Sequence, residues 1–224
     1  MMDARIEKAL TAAISAFDRV NETGENGFQT HLFAAFNSNE GYMQKVDLLD
    51  ECFDSSPSYE DLREIAFDLL LMNFFAADVE KLEEDYLESE EWEDIEEQTI
   101  DRGTELLNLL LYLRECIDEE IEPELGDFLK EFLLVDEDEF QDEHRIYEPM
   151  IANQILVESS YKEISRVAGK LNEEQELAAL FYPIMSFFAE QNPSESQFAE
   201  YVKASTDPSM DAAIYALAIA YNKK

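Results

Sequence analysis

Most nucleophilic sites and transition-metal centres are built from imidazoles and thiols, and this chain of 224 residues holds two of each: His31, His144, Cys52 and Cys116. A carboxylate-bridged di-metal site in a helical protein needs two Glu-x-x-His pairs on inward faces. Here Phe28 lies three residues before His31 and Gln141 three before His144, so neither histidine completes the motif. The H-E-x-x-H pattern of zinc proteases is absent, as are the G-x-S-x-G elbow, the phosphate-binding glycine loop and the dinucleotide fingerprint. The cysteines are isolated and each follows a charged residue and precedes an apolar one, Phe53 or Ile117, which reads as a small core hydrophobe in a reduced compartment. His31, in an apolar segment, reads as a core or boundary residue, and His144, between Glu143 and Arg145, as a surface one.

Carboxylates are the abundant chemistry. Asp136, Asp138 and Asp142 occupy the first, third and seventh places of a calcium-loop pattern, but Phe140, Gln141 and Tyr147 stand at the fifth, sixth and twelfth, where ligands and the turn-forming glycine are required. The stretch from Asp136 to Glu143 therefore reads as a solvated acidic linker. With 53 acidic side chains some pair always lies close, so paired carboxylates carry no specific signal for acid–base catalysis. These residues predict no catalytic, cofactor or metal site.

The net charge is −37, and it is unevenly placed. Residues 1–79 carry 15 acidic and 5 basic side chains, residues 80–148 carry 28 and 5, and residues 149–224 carry 10 and 6. An acidity serving only solubility in salt would be spread over every exposed face. Residues 80–97 hold 11 carboxylates and one lysine. As a helix of about 27 Å this segment would carry a negative charge about every 2.7 Å, against about 1.7 Å for duplex DNA. Like charges at i and i+4 oppose a helix by about 0.2–0.5 kcal/mol per pair, so moderate acid or salt should stabilise the fold. A surface of this sign repels nucleic acid and anionic membrane and attracts basic proteins.

The elements that must position these groups are helical. Ile6, Leu10, Ile14, Phe17 and Val20 recur at steps of three and four, and the same period runs through Phe28–Phe36, Tyr42–Phe53, Leu62–Val79, Ile100–Ile117 and Ile121–Leu134. Leu82, Tyr86, Trp92 and Ile95 keep a thin apolar stripe through the acidic segment, predicting helix on both sides of Ser89. Ser58 with Asp61 and Ser194 with Gln197 resemble capping boxes, and Asn172 an N-cap. Pro149 is placed to open a helix with Ile151, Ile155 and Leu156 on its face, Pro183 to kink or divide one, and Asp207–Pro208 to start the last. Six glycines and six prolines are too few for a turn-rich β fold. The expectation is an all-α, compact bundle of about ten helices with no sheet, one domain over 1–224 whose weakest internal boundary lies near 136–149.

No apolar run reaches the roughly 20 residues that span a bilayer, and the start of the chain, with Asp3 and Glu7, lacks a signal-peptide pattern, so the expected location is cytoplasmic. Function is expected to be non-enzymatic: an acidic module docking a basic partner protein, with Glu83, Glu84, Tyr86, Glu90, Glu91, Trp92, Asp94 and Glu97 as partner-binding residues, the carboxylates steering and the aromatics anchoring. The alternatives are an enzyme with a pocket between helices, using carboxylates or a bound cation, and a structural subunit of an oligomer.

Overall fold

A computed structural model of the chain describes residues 1–22, 24, 27–77, 86, 88–130, 140–172 and 177–223. The expectations for Leu82, Glu83, Glu84 and the acidic run at 136–139 lie outside these residues, as do those for the side chains of Phe140 to His144. So does the helix start attributed to Asn172, whose following residues 173–176 are not described.

Among the described residues there are twelve α-helices, two 3-10 helices and no strand. The α-helices are α1 (Ala4–Asn21), α2 (Phe28–Asn37), α3 (Tyr42–Asp54), α4 (Arg63–Ala77), α5 (Glu90–Thr99) and α6 (Leu106–Asp118). They continue with α7 (Leu125–Lys130), α8 (Phe140–Ala152), α9 (Tyr161–Ala168), α10 (Ala178–Ala189), α11 (Glu195–Ala204) and α12 (Pro208–Asn222). The protein is an all-α bundle, as the apolar spacing requires.

The first and last long helices hold the bundle together. Asp3 caps α1 by accepting from the Arg5 and Ile6 amides at 2.8 and 3.3 Å, and Asp207 caps α12 by accepting from Met210 at 3.3 Å with Pro208 in the first turn. The two helices form the most extensive helix pair, and buried alanines at 9, 13 and 16 on one and 212, 213 and 218 on the other permit close approach. α10 is apolar on every side, with Leu180 to Phe187 all buried, and packs on α12. Buried side chains from α1 through α12 join in one continuous apolar cluster. The capping box of Ser194 and Gln197 is present at the start of α11.

Three local expectations are corrected and a fourth is narrowed. Ser58 lies inside a 3-10 helix, Pro57–Leu62, which Pro57 opens one residue earlier, so α4 starts at Arg63 and not at a Ser58 cap. Pro149 sits inside α8, near its end. Its missing N–H costs only the bond to the carbonyl of Arg145, an exposed residue, and its own ring is buried. Ile155 and Leu156 belong to the 3-10 helix Gln154–Glu158, which turns Ile155 outward at 71% exposure while Leu156 remains buried. Of the two readings for Pro183, a kink or a division, the division does not occur: α10 runs undivided past it, because burial of both flanking turns outweighs one lost hydrogen bond. In addition, the apolar segment read from Ile100 to Ile117 becomes helical only at Leu106, and Ile100 is 81% exposed, because α5 ends at Thr99 and the chain turns before α6.

Candidate acidic docking cleft

The acidic helix α5 is started by Ser89, whose hydroxyl accepts from the Trp92 amide at 3.2 Å. Glu90, Glu91 and Glu93 in its first turn suit the positive end of the helix dipole, which offsets part of their mutual repulsion. Only Ile95 is fully buried, and Glu90, Glu91, Glu93, Asp94, Glu96 and Glu97 are all exposed. Trp92, half-buried, packs its ring 5.3 Å from Phe75 and 6.2 Å from Tyr86, so the apolar edge of α5 is pinned to α4.

The turn after α5 is held by ion pairs and hydrogen bonds. Arg102 spreads its guanidinium between two carboxylates: Nε donates to both oxygens of Glu64 at 3.0 and 3.1 Å, while the terminal nitrogens donate to Asp50 at 3.0 and 3.1 Å. Its plane lies 4.8 Å from the centre of the Phe67 ring. Arg63 donates to Asp50, Asp54 and Glu60 at 2.6–3.0 Å, so Asp50 is shared by two arginines. The Gly103 amide donates to Glu64 at 2.7 Å with φ at 85°, a left-handed conformation in which a Cβ would stand 2.7 Å from Asp68 Oδ1. Next to it the Thr104 amide and hydroxyl donate to the two oxygens of Asp68 at 3.0 and 2.6 Å, and the same hydroxyl accepts from the Leu106 amide at the start of α6.

Asp68 is the one unusual acid of this region. It has no exposed surface, and burial pushes its carboxyl up to about 7, with Glu64 and Glu105 adding to the rise and the Thr104 bonds opposing it.

Between α5, the turn and α4 lies a half-open cavity of about 510 Å³. Phe67 and Leu71 from α4, Leu107 from α6, and Trp92, Ile95 and Ile100 give it an apolar floor and rim; Glu93, Glu96 and Glu97 line the α5 side, and Asp68 with Arg102–Thr104 the opposite end. The three glutamates fall at i, i+3 and i+4, hence on one side of the helix. Of the partner-binding residues expected from sequence, Trp92 and Glu97 line the cleft. Glu90, Glu91 and Asp94 are exposed elsewhere on α5, and Tyr86 is half-buried behind Trp92 against Phe74. Glu93 and Glu96 carried a readable signal, their spacing from Glu97; the walls from α4 and α6 had none, because they are remote in sequence.

Other cavities have weaker chemistry. His31 is exposed, contrary to its expected core or boundary position, because it lies on the outer side of α2; it shares a shallow cavity of about 290 Å³ with half-buried Cys52. No hydrogen bond joins them among the described residues, and burial, together with Glu51, pushes the Cys52 thiol up, away from thiolate. Cys116 is buried. A cavity of about 770 Å³ is bordered by Tyr161, whose hydroxyl lies 3.0 Å from that of Tyr215, which donates to the Glu190 carbonyl at 2.6 Å. Burial raises both phenols, which removes them as bases near neutral pH. Among the described residues no three His, Cys, Asp or Glu side chains converge as a metal site, and no helix is long and apolar enough to cross a membrane. Compared with known proteins, the chain matches no family model, no curated protein and no solved structure.

Proposed function

We propose that the protein is a non-enzymatic binding module that docks a basic partner protein on the exposed face of α5. The observation that carries this reading is the coincidence of six exposed carboxylates on ten residues with an apolar-floored cleft along the same helix. Long-range charge would speed encounter and reject anionic competitors, and the cleft would supply the short-range contact that charge alone lacks. A catalytic reading is less well supported. The two buried acids among the described residues are engaged within the fold, Asp68 by Thr104 and Asp211 by the Ser205 hydroxyl, while the Cys52 thiol and the cavity phenols are held in their protonated forms.

The test compares proteins captured from native lysate by the parent and by a variant in which all six exposed α5 carboxylates are neutralised, Glu90, Glu91, Glu93, Glu96 and Glu97 to Gln and Asp94 to Asn, followed by affinity measurements on the captured protein at several salt concentrations. The parent should retain basic proteins with an affinity that falls steeply as salt rises, and the variant should lose them. Retention of the same proteins by both would remove α5 as the docking face.

A further inference from the structure

We infer that the cleft between α4, α5 and the 100–104 turn receives one arginine side chain of the partner, together with a bulky apolar residue beside it in the partner's sequence. This rests on the docking reading above and assigns its short-range anchor.

Charge complementarity comes first. Glu93, Glu96 and Glu97 present three carboxylates along one wall, and no cation among the described residues pairs with any of them. The cation that does line the cleft, Arg102, already makes four hydrogen bonds to the carboxylates of Asp50 and Glu64, so its charge is compensated before a ligand arrives. The α5 wall of the cleft therefore offers carboxylate acceptors in excess.

The floor selects among cations. Phe67, Leu71, Ile95 and Leu107 are apolar, which disfavours a strongly hydrated ammonium or metal ion and favours a guanidinium, whose plane is weakly hydrated and whose fork matches carboxylates in pairs. The fold already houses one such group there: Arg102 lies over Phe67 and grips two carboxylates. At the cleft's outer edge Ile100 is 81% exposed, an apolar contact for a partner side chain next to the arginine.

Trp92 is the single tryptophan of the chain and lines the cleft, so its emission reports on occupancy. The probe is a capped peptide of serine and glycine with one arginine between two leucines; companions replace the arginine with citrulline or lysine. The arginine peptide should change Trp92 emission saturably, with a dissociation constant of about 1 mM or tighter. Citrulline should weaken it by about tenfold or more and lysine by less. A Glu93→Gln/Glu96→Gln/Glu97→Gln variant should lose about tenfold, and a Glu90→Gln/Glu91→Gln/Asp94→Asn variant less than about threefold. All six positions are exposed, so the variants should remain folded, which circular dichroism checks. Equal binding of the arginine and citrulline peptides, absence of saturable change, or displacement of the peptide by magnesium or calcium alone would overturn the assignment. Equal loss in the two variants would overturn the cleft while leaving the acidic face as the docking site, so the two readings fail separately.

Discussion

Asp68→Asn should make the protein more stable at pH 8 and progressively less so, relative to the parent, as pH falls. The carboxyl is unexposed and its value is raised from 3.8 to about 7. The native state therefore binds this proton more tightly than the unfolded chain, so stability is fullest below the unfolded value and is lost as pH rises through the native one. At about 1.4 kcal/mol per pH unit, the rise gives a penalty of about 4 kcal/mol when the group is fully ionised, more than half of which develops between pH 5 and 8. An asparagine can still accept from the Thr104 amide, and its own amide can donate to the Thr104 hydroxyl, so the variant removes the titration and keeps the geometry. The assay is urea unfolding at constant ionic strength, read by Trp92 fluorescence and far-ultraviolet circular dichroism. Asp211, which burial also raises to about 7, titrates in both proteins and cancels in the difference, as does the surface repulsion. A difference between variant and parent that stays constant from pH 5 to 8, within about 0.5 kcal/mol, would refute the reasoning.

Three further perturbations address the same architecture. Gly103→Ala forces a Cβ toward Asp68 in a left-handed turn and should cost about 2 kcal/mol, read as a lower urea midpoint; an unchanged midpoint would contradict the tight approach. Arg102→Lys retains a charge but loses the fork that joins Asp50 to Glu64, and unfolding should show a loss of about 1–2 kcal/mol that added salt does not abolish. Ser194→Ala removes the cap of α11 and should lower the thermal midpoint by about 2–4 °C, from about 1 kcal/mol of lost capping.

The helices were legible because each buries one face at its own period: Ile6, Leu10, Ile14 and Phe17 all reach the core. The Ser194 box and the Asp207–Pro208 start were legible because capping is local chemistry. Pro149 was misplaced, and Pro183 left between a kink and a division, for the opposite reason. Whether Pro149 and Pro183 interrupt a helix depends on what surrounds them, and packing around α10 overrides the local cost. The cleft divides the same way. Trp92 and Glu97 stand out within α5, whereas Asp68 meets Thr104 across 36 positions and Arg102 meets Asp50 across 52, distances over which no periodicity carries information. Ile100 continued an apolar pattern in sequence, yet the turn that brings Arg102 to Glu64 turns it to solvent.

Docking of a basic protein on α5 leaves a chemical trace in the complex. Zero-length carbodiimide cross-linking of the protein with its captured partner, followed by mass spectrometry, tests it most directly, because that chemistry joins only a carboxylate and an amine already in contact. Cross-links should run from the peptide containing Glu90 to Glu97 to lysines of a basic partner and be lost at high salt. Cross-links concentrated instead on carboxylates of residues 149–224, with α5 unmodified by the partner, would contradict it.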